Sequence, residues 1–365
     1  MNNKSETDDQ DNDRSDLFYS ITPDSVIRSI QECGFEVTGH CMALNSFENR
    51  VYDIKLESGD HIVVKFYRPL RWSLEQIQEE HDFLFELKSE EIPVCTPLTL
   101  ENNRTIHSAE GVYFAVWPRT GGRAADEFSE PDLQTLGRLL ARIHNVGDSK
   151  KSVHRIQLDE TAYGTNPLNY MLENNFISEN YVNRYSNAVR EITDIYSSLK
   201  KEIPTHRIHG DCHKGNLLKG GSGWFFLDFD DFLSGPAVQD IWMLLPMEDD
   251  YGLFQQNLFL EAYRQFRDFE SSWLNLIESL RALRYIHYTG WIARRWNDPI
   301  FPISFPEFGT ERYWEESTSD LEDQLKKILS NPGTGLSSHH SAYSADPEEE
   351  ELTNKDFFWD MDEKG

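Results

Sequence analysis

An aspartate and an asparagine stand five residues apart in a glycine-containing segment, and a second aspartate follows twelve residues later. Residues 209–216 read HGDCHKGN and supply Asp211 and Asn216, and residues 225–230 read FFLDFD and supply Asp228. Carboxylate and amide oxygens are ligands that Mg²⁺ prefers, and a separate carboxylate can take the proton of an alcohol. The set therefore indicates phosphoryl transfer from ATP to a hydroxyl group.

The segment between these residues predicts how they meet. Apolar runs at 217–218 and 224–227 flank the glycine-rich segment 219–223, which is typical of a β-hairpin. Such a hairpin brings Asp228 beside Asn216, as in the H-R-D-x-x-x-x-N loop and D-F-G segment of protein kinases. We therefore predict Asn216 and Asp228 as Mg²⁺ ligands and Asp211 and Asp228 as catalytic residues. Asp211 would point at the acceptor hydroxyl.

The cation for the nucleotide is expected in the first third of the chain. Lys65 ends the β-branched run 62–66, and a strand lysine can contact phosphates as a point charge. Its orienting carboxylate is predicted to be Glu80, with Glu79 as the alternative. The chain has no G-x-G-x-x-G or Walker A motif, so the candidate phosphate turn is 44–50, where Ser46 could offer its hydroxyl and backbone N–H.

The loop that carries Asp211 needs support. Residues 235–242 read GPAVQDIW, a turn that leads into a helix, and Asp240 could accept N–H bonds from the catalytic loop. The competing interpretation is an ordinary aspartate in the first turn of a helix, where it is favourable to the helix dipole.

Strand signals dominate the first part of the chain and helix periodicity the second, which predicts an α+β fold of two lobes with ATP between them. We expect a nucleotide-binding lobe over 17–118, built on a small antiparallel sheet. A larger, mainly helical catalytic lobe is expected over 119–332. Residues 1–16 and 333–365 are acidic and lack apolar periodicity, so both are predicted to be disordered.

Composition excludes several functions. The net charge is −28, and 17 excess negative charges remain when 1–16 and 333–365 are removed, which argues against nucleic acid or an anionic membrane as partner. No segment is apolar enough for a membrane helix, and the Asp/Asn/Ser-rich N-terminal residues lack the apolar core that is expected of a signal sequence. Four cysteines without close spacing suit a reduced, cytoplasmic protein, and the Cys-His pair at 212–213 has poor spacing for zinc.

Four blocks in order carry a family resemblance. They are LNSFENRVY at 44–52, VVKFYRP at 63–69, the loop at 209–216 and GPAVQD at 235–240. Over about 18–330 the chain resembles the stress response kinase A family of bacterial serine/threonine protein kinases. This family lies within the aminoglycoside phosphotransferase and choline kinase superfamily, so the resemblance implies a protein-kinase-like fold. It also implies ATP- and Mg²⁺-dependent phosphorylation of Ser or Thr, autophosphorylation, and a role in stress response.

The expected protein is thus a monomeric cytoplasmic kinase with ATP and Mg²⁺ as cofactors and a protein hydroxyl as acceptor. Two alternatives stay open from the residues alone. A small-molecule hydroxyl kinase of the choline, aminoglycoside or homoserine type would use the same groups. An inactive nucleotide-binding scaffold is the alternative from a different class.

Overall fold

The computed structural model describes residues 18–330 apart from 45, 47, 101–102, 125–126, 222 and 246–249. The segments predicted to be disordered, 1–16 and 333–365, lie outside the described residues. Among the described helices, none is both long enough and apolar enough to cross a membrane.

Five antiparallel strands form the sheet of the N-terminal lobe, in the spatial order β1-β2-β3-β5-β4. Their bounds are β1 Val37–Leu44, β2 Arg50–Leu56, β3 His61–Phe66, β4 His107–Ala109 and β5 Val112–Pro118. The β-branched side chains of β3 suit its central position, because they pack well on a pleated surface. Lys65 in β3 lies opposite Val51 on one side and Ala115 on the other.

Two helices pack on this sheet, and one of them also reaches the second lobe. Helix α1 (Pro23–Glu32) begins with an N-cap threonine and a proline, a residue that is favoured in the first helical turn. Helix α2 (Leu74–Ser89) begins with a capping box between Ser73 and Gln76. The buried Phe83 of α2 belongs to the core of the helical lobe. Helix α2 therefore positions its side chains at the boundary between the lobes.

The second lobe is mainly helical. Its helices are α3 Glu130–Ser149, α4 Asn166–Glu173, α5 Val182–Lys200, α6 Val238–Leu244, α7 Asp250–Tyr263, α8 Ile277–Arg294, α9 Ile300–Ser304 and α10 Glu311–Ser330. Two antiparallel pairs accompany them: β6 Thr205–Ile208 with β9 Leu233–Pro236, and β7 Leu217–Gly220 with β8 Gly223–Phe226. The predicted α+β fold, with a sheet lobe followed by a mainly helical lobe, is confirmed. The exact boundary at 118/119 stays a prediction, since β5 ends at Pro118 and α3 begins at Glu130.

A close contact between α3 and β6 fixes the strand that leads into the catalytic loop. A Cβ atom on Gly147 of α3 would lie 2.0 Å from the carbonyl oxygen of Arg207 in β6, so only glycine allows this approach. The guanidinium of Arg207 donates to the carbonyl of Gly147 at 3.2 Å and to Oε2 of Glu86 at 2.7 Å. Strand β6 is thereby held against α2 and α3 directly before His209.

Candidate active site

The predicted hairpin is present and brings the two metal-ligand candidates together. In it, Leu217 of β7 pairs with Phe226 of β8. The N–H of Leu227 donates to the carbonyl of Asn216 at 2.9 Å, so Asp228 directly follows a residue bonded to Asn216. The backbone of Asp228 is left-handed, with φ 50° and ψ 70°. A non-glycine residue in this conformation costs about 1 kcal/mol, and such strain often occurs at functional sites.

Lys65 joins the two lobes at this point. Its Nζ lies 3.1 Å from Oδ1 of Asp228, 3.1 Å from Oδ1 of Asp230 and 3.6 Å from Oε1 of Glu80. Burial would lower the pKa of the Lys65 ammonium, but the three carboxylates raise it well above its usual range. Lys65 is therefore a fixed positive charge beside the metal-ligand candidates.

The structure separates the roles of Glu79 and Glu80. Glu80 is fully buried and contacts Lys65, while Oε2 also lies 3.4 Å from Nη2 of Arg155. Burial raises the pKa of Glu80 to about 7, with Asp230 adding to the increase and Lys65 opposing it. Glu79 instead accepts N–H bonds from residues 153–155. Of the two, only Glu80 lies beside Lys65.

Asp211 is held by cationic and amide partners in its loop and on α8. Its Oδ1 lies 3.0 Å from Nη2 of Arg284, and its Oδ2 lies 3.3 Å from Nε2 of His213. The amide nitrogen of Asn216 donates to the backbone carbonyl of Asp211 at 2.9 Å. Burial raises the pKa of Asp211, but His213 and Arg284 outweigh it, and the pKa falls below its usual range. The carboxylate is thus ionised at neutral pH, which a proton acceptor requires.

Asp240 also makes contacts that can hold the catalytic loop in place. Its two carboxylate oxygens each accept a 2.8 Å bond, one from the N–H of His209 and the other from the N–H of Gly210. Nε2 of His144 donates to the same carboxylate at 3.0 Å, and Nδ1 of His144 accepts from Tyr263. Burial raises the pKa of Asp240 to about 6. The loop backbone is therefore anchored to α3, α6 and α7.

The predicted phosphate turn is tied to the helical lobe. The hydroxyl of Ser46 is exposed and accepts the N–H of Asn49 at 3.3 Å. Glu48, in the same turn, accepts from the indole N–H of Trp291 and lies 2.9 Å from Nη2 of Arg295. The side chain of Ser46 is thus available to a ligand, next to a contact between lobes.

The donor atoms suit a nucleotide-bound Mg²⁺. The carboxylate of Asp228 is half exposed, and Asn216 uses its amide nitrogen within the loop, which leaves its amide oxygen as the atom that can face a metal. Mg²⁺ usually keeps water and phosphate ligands beside one or two protein oxygens. Within the described residues there is no cluster of three or more His, Cys, Asp or Glu that could hold a metal alone. The oxygen atoms of Asn216 and Asp228 therefore fit a divalent metal ion that also keeps water and phosphate ligands.

Two residues of this site were missed from the sequence. Asp230 contacts Lys65, accepts from Nδ2 of Asn49 at 3.1 Å and lies 2.8 Å from Nη1 of Arg71. Arg284 lies 73 positions from Asp211 on a helix without any motif. The FDFD pattern was a signal for Asp230, but nothing in the sequence singled out Arg284.

Comparisons with known proteins agree with this geometry. The family model described as "Phosphotransferase enzyme family" matches residues 40–278. The chain belongs to this family. It is 36% identical over 322 residues to stress response kinase A of Escherichia coli, which covers 88% of this chain and 98% of that protein. A protein of Salmonella typhimurium named serine/threonine protein kinase RdoA is 35% identical, with 88% and 97% covered.

Solved structures of this family's fold are similar at low identity. Amicoumacin kinase hAmiN, in complex with AMP-PNP, Ca²⁺ and its ligand Ami, matches with a TM-score of 0.63 at 19% identity, over 83% of this chain and 92% of that one. A microcompartment-associated aminopropanol kinase matches with a TM-score of 0.60 at 17% identity, over 86% and 100%. The predicted kinase-like fold and the family resemblance are confirmed, and the chain is a phosphotransferase.

Proposed function

We propose that this phosphotransferase is a serine/threonine protein kinase that uses ATP and Mg²⁺. The observation that carries the kinase chemistry of this proposal is the 3.1 Å contact between Lys65 of the sheet lobe and Asp228 of the helical lobe. It lies beside the loop that holds Asp211 and Asn216. Kinases need this combination of a cation, metal ligands and a carboxylate facing the acceptor.

The proposed chemistry assigns one role to each group. Lys65, oriented by Glu80, contacts the α- and β-phosphates, and Ser46 lies at the phosphate turn. Mg²⁺ held by Asn216 and Asp228 would neutralise charge on the β- and γ-phosphates.

Asp211 orients the acceptor hydroxyl and receives its proton. The hydroxyl oxygen forms a bond to the γ-phosphorus while the bond from that phosphorus to the bridging oxygen breaks, and ADP leaves. Most of the catalytic effect in this scheme comes from positioning and charge stabilisation.

The names of the bacterial relatives support a protein hydroxyl as acceptor and a role in stress response, and autophosphorylation is part of the proposal. A cytoplasmic, monomeric enzyme remains part of the proposal. The second candidate is a small-molecule kinase, which the aminopropanol and amicoumacin kinases of the same fold favour.

The deciding experiment uses γ-labelled ATP, Mg²⁺ and the purified full chain. One arm offers a Ser/Thr protein, and the other offers amino alcohols, sugars and aminoglycosides. The proposal predicts label in the protein acceptor that disappears in Asp211→Asn. Label in small molecules alone would establish the second candidate, and no transfer from a chain that binds ATP would establish an inactive scaffold.

A further inference from the structure

Two arginines of α8 and its C-cap lie along the edge of the candidate active site. Arg284, within α8, lies 3.0 Å from Asp211. Arg295, the C-cap residue of the same helix, lies 2.9 Å from Oε1 of Glu48 in the turn between β1 and β2. The helix therefore presents a guanidinium beside the expected acceptor hydroxyl and another at the edge of the phosphate turn. This occurs in a chain whose net charge is −28.

The carboxylates around these arginines are already paired. Nη2 of Arg71 donates to both carboxylate oxygens of Asp231, at 2.6 and 2.8 Å. Oε2 of Glu48 lies 3.3 Å from Arg68 and 3.5 Å from Arg71, and Asp298 is bound by Arg68 at 2.5 Å. A cationic acceptor such as an aminoglycoside would have to displace a guanidinium from each carboxylate that it used. Arg284 and Arg295 are paired as well, but a guanidinium has five N–H donors and can bind a second anion while it keeps its first ion pair, so the paired groups here disfavour polycationic acceptors more than anionic ones.

We infer that the acceptor hydroxyl belongs to a molecule or peptide segment that also carries a carboxylate or phosphate, which Arg284 binds, and that a peptide acceptor places a second anionic group on Arg295. The inference rests on the proposed kinase function and names its substrate class. Guanidinium groups suit it because they bind carboxylates and phosphates through two parallel N–H bonds.

The electrostatics at Arg295 support this assignment. Burial lowers the pKa of Arg295 to about 10, and repulsion from Arg71 and Arg68 adds to the decrease, while Glu48 opposes it. Within the described residues, the guanidinium of Arg295 makes one ion pair, through Nη2. Its side chain keeps 17% of its surface exposed. An anion that reached this exposed edge would relieve the repulsion among the arginines.

Tyr163, in the π-helical turn Thr161–Thr165, lies within the electrostatic reach of these charged groups. Burial raises the pKa of Tyr163, and Asp231 and Asp211 add to the increase, while Arg284 opposes it. The ring of Tyr163 stacks on His287 of α8 at 4.1 Å. An acceptor that runs from Asp211 along α8 would pass close to this aromatic stack.

The spacing along α8 separates a peptide from a small molecule. Arg284 and Arg295 are eleven positions apart, which is about 16 Å along a helix. An extended peptide covers this distance in about five residues. A peptide can thus place one acidic residue near Arg284, next to its hydroxyl, and another near Arg295, about five positions away. A small anionic alcohol reaches Arg284 alone.

The test measures kcat/KM with γ-labelled ATP and peptides that contain one serine. An acidic residue or a lysine is placed next to the serine or five positions from it, and small anionic alcohols and aminoglycosides form a separate arm. The expected result is about a tenfold preference for the acidic peptide at each position. Arg295→Gln should abolish the preference at the distant position only, and Arg295→Lys should retain part of it.

The matched control is Arg294→Gln, since Arg294 is exposed and lies over the ring of Tyr170 at 5.4 Å. This variant should keep both preferences. A preference for lysine peptides or aminoglycosides would overturn the inference. So would an Arg295→Gln variant that raises KM for ATP while the acidic preference stays intact, because Arg295 would then serve the nucleotide.

The outcomes separate this inference from the proposed function. If peptides are labelled without any preference for acidic residues, the protein is a protein kinase but the inferred anionic acceptor is wrong. If only small anionic alcohols are labelled, the protein-kinase proposal is wrong, while the inference that Arg284 binds an anionic acceptor is supported.

Discussion

Removing the carboxylate of Asp240 tests whether the catalytic loop depends on its buried anchor. Asp240→Ala leaves three buried donors without an acceptor: the N–H groups of His209 and Gly210 and the imidazole N–H of His144. Each unsatisfied donor costs about 1–3 kcal/mol, so the loss is about 6 kcal/mol. The change also removes a buried charge, which reduces this loss.

The size of that reduction follows from the pKa of Asp240, which burial raises from 3.8 to about 6. At about 1.4 kcal/mol per pKa unit, charging this group costs the folded state about 3 kcal/mol at neutral pH. Because the folded pKa is raised, this cost is absent below pH 3.8, grows as the pH rises and is complete above about pH 6. Asp240→Ala should therefore lower the free energy of unfolding by about 3 kcal/mol at pH 7.5, and by about 1 kcal/mol more at pH 5.

Urea unfolding followed by circular dichroism at both pH values measures the difference between wild type and variant. Asp240→Asn, which keeps one acceptor oxygen, is the matched control and should lose less stability. A loss below about 1 kcal/mol at both pH values would refute the reasoning, as would a smaller loss at pH 5 than at pH 7.5.

Four further predictions concern the site and the fold. Asp211→Ala should abolish transfer and leave nucleotide affinity within about threefold by calorimetry, because this carboxylate faces the acceptor; retained turnover would contradict its role. Asp228→Ala should abolish Mg-ATP binding in the same measurement, and unchanged binding would contradict the metal assignment. Gly147→Ala should lower the melting temperature by several degrees, because its Cβ would lie 2.0 Å from a carbonyl oxygen; an unchanged melting temperature would show that α3 can move away from β6. Deleting residues 333–365 should leave both melting temperature and transfer unchanged, and a collapse of either would give that segment a structural role.

Local signals explain what the sequence could predict. The glycine-rich segment 219–223 lies between two apolar runs, so it predicted the hairpin that brings Asp228 beside Asn216. A β-branched run around Lys65 predicted its strand. In both cases the information lies within a few residues, because turn chemistry and strand preference act over short distances.

Contacts between distant segments explain what the sequence could not predict. Asp211 and Arg284 are separated by 73 positions, and Glu48 and Trp291 by 243. The hydrophobic periodicity of a helix does not indicate which of its arginines contacts a carboxylate from another element, since that depends on how the lobes pack. The sequence could not decide between Glu79 and Glu80 for the same reason. Both lie on one helix, and only the packing of that helix determines which of them faces Lys65.

The ion pairs that cross between the lobes have a consequence for nucleotide exchange. Glu48 with Arg295, Arg68 with Asp298, and the lysine at the strand end with its two aspartates all join one lobe to the other. Any hinge opening that admits ATP or releases ADP must separate several of them together. Apart from Asp228, whose side chain is 54% exposed, these side chains are between 3% and 17% exposed, so salt screens most of the pairs weakly. The contacts between the lobes should therefore persist at high ionic strength, with the pair of Lys65 and Asp228 the most easily weakened.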